Sequence, residues 1–354
     1  MPGAEVEISD AVATRASGPG GAEGPAIGRD LGSMQAQMRR FLGPEGIAAL
    51  HRRSVPLDIC TLIAVPCLCI GLVLVCASSS NPVVVGLAMI AQGYVLQWFG
   101  LINHEFFVHR RVGGIRATRF LGLIFTTPIL LSFTRYSDAH KVHHKFIGTE
   151  RDSEQYKQDI DSPLKRILFC TYPGIAWAIS GKMGRGRPPY FRLRDAGPDE
   201  VRHAREETVA LLLFLACVVG VGIVYPRAIM LGYVVPLLVM LPALNAVRIL
   251  FEHAELQPDN PYFIASRFHC GVFEELAFLW DAGEFHLIHH YLPNVPYYRM
   301  RAARRALDPL FDAQGIQKTS GRLRMLRAWF IQGRSHRDWW ATGEGLTARP
   351  PATR

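Results

Sequence analysis

Four long apolar runs constrain this chain more than any other feature. They cover residues 57–77, 82–102, 208–225 and 228–247. Each approaches or exceeds the length of about twenty residues that a helix needs to cross a bilayer. Residues 78–81 join the first pair and residues 226–227 the second, so the runs predict two helical hairpins. In lipid every backbone polar group must be satisfied internally, which leaves helices as the spanning element here. Two weaker runs, 120–133 and 167–179, are too short to span comfortably and predict helices at the interface or buried in protein.

Charge then orients the spans. The chain of 354 residues carries 39 Lys+Arg against 30 Asp+Glu, a net charge of +9, although 49% of it is hydrophobic. No Lys or Arg occurs between Ser54 and His109, and Arg227 stands alone between Glu207 and Val247. By the positive-inside rule the basic regions, both termini included, are cytoplasmic and the two short turns face out. Topology and anionic lipid therefore account for the basic balance, and nucleic acid is not an expected partner. Residues 1–50 predict a disordered leader and an interfacial segment, residues 51–340 the membrane domain, and residues 341–354 a loose tail. The Gly/Ala/Pro-rich opening has no apolar core of a secretory signal. Seven cysteines form no C-x-x-C pair and predict buried thiols, not disulfides or zinc knuckles.

The histidines are the second constraint. His104 and His109 form H-x4-H; His140, His143 and His144 form H-x-x-H-H; His286, His289 and His290 form H-x-x-H-H again; His253 follows the fourth run. With 13 histidines in the chain, one H-x-x-H-H is expected by chance roughly 0.02 times, and it occurs twice. On an α-helix positions i, i+3 and i+4 share a face, so each triplet aims three rings at one place. The i, i+5 spacing of His104 and His109 fits an α-helix poorly, about 140° apart. Two separate ions, or a helix ending inside the box, would accommodate it. All four elements fall on the predicted cytoplasmic side, which points to a single site.

Nine imidazoles exceed what one zinc takes and suit two metals. Ring nitrogens accept Zn, Cu, Fe or Ni, so ligand type leaves the metal open. Glu105, Asp138, Glu252, Glu255 and Glu284 stand close enough in sequence to accept the second ring N–H of a ligand histidine. Asp152 is either such a group or a solvated loop acid. His51, His203, His269 and His336 have ordinary roles as their default, His269 being the rival to His253. The stretches 182–194 and 301–305 suit anionic headgroups or, secondarily, an acidic electron donor, and Trp280, Trp329, Trp339 and Trp340 suit interfacial anchoring.

Taken in order, these boxes resemble the membrane fatty acid desaturase family. The likeness rests on H-x4-H, H-x-x-H-H, the lone His253 and the last H-x-x-H-H with its continuation Tyr291-Leu-Pro293-Asn-Val-Pro296, and it covers roughly residues 57–304. It implies an all-α integral-membrane fold of four transmembrane helices with a cytosolic helical cap carrying a di-iron site. It also implies that His104, His109, His140, His143, His144, His253, His286, His289 and His290 ligate two Fe ions, with O2 as co-substrate. The substrate would be a fatty acyl chain, as free acid, CoA, carrier-protein or lipid ester. Electrons would come from a separate donor such as ferredoxin or cytochrome b5 with its reductase, since no His-Pro-Gly-Gly haem element occurs. The element Arg248…Glu252-His253 resembles one in bacterial members and implies a bacterial inner membrane. Desaturation is the leading expectation, with hydroxylation or oxidative decarboxylation to a terminal alkene as sister reactions. A metal transporter or sensor would need acids or histidines inside the spans. Those runs hold no histidine and, as their one acid, Asp58 at an end.

Overall fold

The computed structural model describes residues 31–109, 112–147, 197–253, 267, 271–277, 283–314 and 316. Every regular element among them is helical. The run 167–179, Cys170, Cys270, Asp152, Glu255, His269, His336, the stretch 182–194 and Trp280, Trp329, Trp339 and Trp340 lie outside the described residues. So does the side chain of His253. The chain divides into two compact units, residues 55–249 and residues 1–54 with 250–354.

Residues 55–249 hold the apolar helices. Four are long and apolar enough to cross a membrane: Val55–Ser78, Pro82–His109, Val201–Val224 and Pro226–Arg248. The first is α2 (Val55–Ser78), and it packs along α3 (Pro82–Ile102). α3 starts where Asn81 caps it, its Oδ1 accepting from Val83 N at 2.9 Å and Val84 N at 3.4 Å, with Pro82 at the first helical position. The third is α6 (Pro198–Val224), which begins ten residues before the apolar run and carries a charged first part. The fourth is assembled from α7 (Pro226–Ile229), two π-helical turns at Met230–Val234 and Pro236–Met240, and α8 (Leu241–His253). Arg227, the lone cation of this stretch, donates to the Ser79 carbonyl at the end of α2, where helix carbonyls carry partial negative charge.

The four helices divide into two kinds. Only 11% of the first window and 6% of the third is buried, against 44% of the second and 39% of the fourth. The first and third therefore turn Ile63, Ile70, Leu74, Leu212, Leu213 and Ile223 outward. The fourth meets both the second and the first at glycines, as lipid-embedded helices do when nothing but packing draws them together. A Cβ on Gly93 would lie 2.5 Å from Met240 Cβ, and one on Gly232 would lie 2.8 Å from Val73 Cα. The free thiols depart from expectation. Among the described residues Cys60, Cys67 and Cys217 are exposed on the apolar helices, Cys69 is half-buried and Cys76 alone is buried, because a lipid-facing position accepts a thiol as readily as a protein core does.

Between the second and third of these helices the chain makes α4 (Ile115–Thr126), a short 3-10 turn (Thr127–Ile129) and α5 (Phe133–Phe146), which α4 and α5 meet at a bend of 97°. The bend is held by Leu130, the one non-glycine residue with positive φ among those described (φ 56, ψ 33). Its N–H donates to Thr127 O, that of Leu131 donates to Thr126 O, and Tyr233 Oη on the fourth helix donates to Pro128 O at 2.6 Å. α5 carries Arg135, Asp138, Lys141 and Lys145 beside its histidines, a composition that suits water and not lipid.

The other unit is built on α1 (Leu31–His51), α9 (Val272–Ala277), α10 (Glu284–Tyr291) and α11 (Met300–Ala313). α1 buries Met34, Met38 and Leu42 at i, i+4, i+8, then kinks at Gly43 (φ 69) before Pro44. α11 buries Met300, Ala303, Leu307, Leu310 and Phe311 on one face and packs on α1 and α10. Arg267, 1% exposed, pins this face by pairing with Asp308 and Asp312, both at 2.9 Å, and lies over the Phe311 ring. All eight residues of α10 are buried, polar ones included.

Candidate metal centre

The first histidine box does not end the second apolar helix. Residues Asn103–His109 continue it as a π-helix. That turn pairs residue i with i+5, where an α-helix pairs i with i+4. The awkward five-residue spacing is thereby resolved: the rings of His104 and His109 lie 4.8 Å apart, centroid to centroid, edge to face. The helix does not end inside the box, and single π-turns are frequent at functional sites.

α5 delivers the second box to the same place. His140 Nε2 lies 2.8 Å from His104 Nε2 and 2.9 Å from His144 Nε2. The ligand nitrogens of His104, His109, His140 and His144 all fall within 4.8 Å of one another. His104, His140 and His143 are buried, His109 and His144 half-buried. Tyr136 stacks on His140, rings 5.5 Å apart. Burial first, then the rings of His104, His144, His109 and His143, push the His140 pKa well below the usual histidine range. It is held neutral, with one ring nitrogen's lone pair available.

This arrangement fits a metal cation. A neutral imidazole nitrogen has one hydrogen or one lone pair, so His140 Nε2 can serve one of its two close nitrogen neighbours and not both. A cation that takes a lone pair from each nitrogen satisfies the whole set. The last box repeats the arrangement. On α10, His286, His289 and His290 are buried, with His286 and His290 Nε2 atoms 3.0 Å apart. Gly283, at φ 59, starts this helix in a conformation that a side chain would resist. His253 closes α8.

The acids divide. Glu252 is buried and its Oε1 lies 3.9 Å from His286 Nδ1, the ring nitrogen away from the cluster. That is within ion-pair range and beyond a direct hydrogen bond. Glu284 is buried but accepts from Arg304 at 2.8 Å, and Arg301 and Arg304 also engage Glu275. These two cations of the 301–305 stretch thus hold protein carboxylates. Asp138 is half exposed and faces Lys141 at 3.5 Å. Glu105 is buried within the π-turn.

Two groups escaped the sequence reading. Gln97 and Asn103 are buried with no hydrogen-bond partner for either amide atom among the described residues. Asn103 adjoins His104, and Gln97 shares its helix face seven positions back. A buried amide inside an apolar helix is costly and was a signal available from sequence alone. The other group, Arg119 with Glu206 and Glu207, is assembled only by tertiary contacts.

Comparison with known proteins agrees with this geometry. The chain is 26% identical over 265 residues to a protein named omega-3 fatty acid desaturase, chloroplastic, from Sesamum indicum, covering 68% of this chain and 58% of that one. It is 24% identical over 258 residues to an acyl-lipid (9+3)-(E)-desaturase from Dimorphotheca sinuata, covering 62% and 66%. The aligned part thus spans 58–66% of the length of these relatives. The family model described as fatty acid desaturase matches residues 80–321, from the start of the second apolar helix to beyond α11 and including every histidine box. The chain belongs to the fatty acid desaturase family.

Proposed function

We propose that this protein uses O2 and two iron ions to oxidise an unactivated C–H bond of a fatty acyl chain, and that the reaction is desaturation. The observation that carries the reading is the convergence of His104, His109, His140 and His144 from two helices onto one buried spot. The ligands of the two ions would be these four with His143, His253, His286, His289 and His290. Iron held there would supply O2 activation and the oxidant that removes hydrogen from a methylene. The chain's own work is positional. Burial of His104, His140 and His143 keeps bulk water from the reacting carbon, burial and the neighbouring rings keep His140 neutral, and the buried Glu252 carboxylate faces His286 at 3.9 Å.

The four apolar helices form two hairpins in this reading, with the histidines and both termini on the cytoplasmic side. The distribution of Lys and Arg supports that orientation. A bacterial inner membrane is the proposed location, on the likeness of the Arg248…Glu252-His253 element, while the named relatives are plant proteins. A lipid ester is the favoured form of the substrate, since one relative is named for acyl-lipid. A separate ferredoxin or cytochrome b5 would deliver electrons.

The test is lipid and hydrocarbon profiling, by mass spectrometry, of cells expressing the wild type or His289→Ala. A new unsaturated acyl species, absent with the variant, is expected. A hydroxylated acyl chain or a terminal alkene would keep the oxidation and move the reaction to a sister class. No difference, in cells supplied with a ferredoxin system and holding iron-loaded protein, would sink the acyl reading.

A further inference from the structure

The second histidine box sits on a helix whose first turn is gripped by the third apolar helix. Glu207 of α6, 7% exposed, accepts from Ser132 Oγ at 2.5 Å, Thr134 Oγ1 at 2.5 Å and Thr134 N at 3.1 Å. Ser132 is the N-cap of α5, and its Oγ accepts from Arg135 N at 3.3 Å. The carboxylate thus lies where the orphan N–H groups and the positive end of α5 favour an anion. Arg119 of α4 completes the grip. Its Nη1 donates to Thr134 Oγ1 at 3.0 Å and lies 3.5 Å from Glu207, while Nη2 donates to His203 O and to Glu206 at 2.9 Å.

We propose that Glu207, backed by Arg119, is a positioning residue for the metal centre: it fixes the rotation and height of α5 and so aims His140, His143 and His144. Three features make the aim depend on it. The chain reaches α5 through a 97° bend held by Leu130 in a left-handed conformation, which is strained and persists only when its surroundings over-determine it. α5 is only 14 residues long. His140 follows Thr134 by six positions, roughly 9 Å along the axis, so a small tilt at the clamp moves the ring nitrogens by a comparable amount. The inference rests on the reading that these histidines hold metal, and not on what the metal oxidises.

The experiment uses the full chain in detergent with Co(II) as the probe. It reads bound ions per chain, affinity, the visible absorption bands of bound Co(II), and melting of the metal-free protein. Glu207→Ala is expected to weaken Co(II) binding about 10- to 100-fold, as loss of an outer-shell support does, and to shift the absorption bands. A merely structural role would lower the melting temperature and leave the bands in place. Glu207→Gln, which keeps an accepting oxygen, should restore most of the affinity. Glu206→Ala, which removes a half-exposed carboxylate on the same arginine, should resemble the wild type. Wild-type affinity and bands in Glu207→Ala overturn the proposal. If that variant yields no folded protein, Thr134→Val carries the test: a several-fold weaker site with shifted bands supports the clamp, and an unchanged site overturns it. A wild type that binds Co(II) yet oxidises no acyl chain overturns the function and leaves the clamp standing. A wild type that binds no Co(II) overturns both.

Discussion

The two H-x-x-H-H helices are the same local machine mounted in two different ways. On α5 the ring centroids of His140–His143, His140–His144 and His143–His144 are 5.7, 4.5 and 5.9 Å apart. On α10 the matching distances are 5.7, 4.6 and 5.9 Å for His286–His289, His286–His290 and His289–His290. Helix period alone sets these values. The surroundings share nothing. α5 is half exposed, charged, and gripped at its N-terminus by Glu207 and Arg119. α10 is buried throughout, started by a left-handed glycine, with Glu284 tied to Arg304 and Glu252 facing His286. A sequence motif therefore specifies how imidazoles are spaced, while its mounting specifies where they point.

The comparison can be broken from either side. If both triads feed one centre, His143→Ala and His289→Ala should each cut oxidised product to background and lower bound iron, with the protein still in the membrane. Product from either variant at wild-type level would remove that triad from the site. Acid should act next most strongly, through α5. Burial and the neighbouring rings depress the His140 pKa below its ordinary 6.5. The unfolded chain takes up this proton near 6.5 while the folded ring resists it, so folding stability is full above 6.5 and falls as pH drops from there through the depressed value. Chemical unfolding of the metal-free protein followed across pH 7.5 to 5 checks this, and stability that does not fall would contradict it.

Smaller effects separate the mountings. Arg304→Ala takes the guanidinium from the buried Glu284 carboxylate and should cost about 2–4 kcal/mol of stability in chemical unfolding, because a broken buried pair leaves a charge that cannot reach water. Glu252→Ala should leave stability nearly intact but weaken metal binding about tenfold, through misorientation of His286. Isothermal titration with Co(II) distinguishes the two. Asp138→Asn, on the exposed side of α5 opposite Lys141, should change stability by less than about 0.5 kcal/mol and metal binding not at all. A clear loss of metal there would show that the outward acid of α5 supports the site after all.

Much of this was legible in the amino-acid order, for a definite reason. The apolar runs, the triplets and their charged neighbours are patterns of period and length, and local geometry converts such patterns into helices and faces without reference to the rest of the chain. The structure keeps the four apolar helices and the internal spacing of both triplets. What it adds is of another kind. The first box takes a π-turn, which no residue type in Asn103–His109 demands. His104 meets His140 across 36 positions, and Thr134 meets Glu207 across 73. In the sequence Glu207 is the second of two adjacent glutamates before an apolar run, with nothing to set it apart from Glu206. One residue of helical rotation separates a buried carboxylate that holds a helix from an exposed one that does little, and only the packed neighbours α4 and α5 decide which is which.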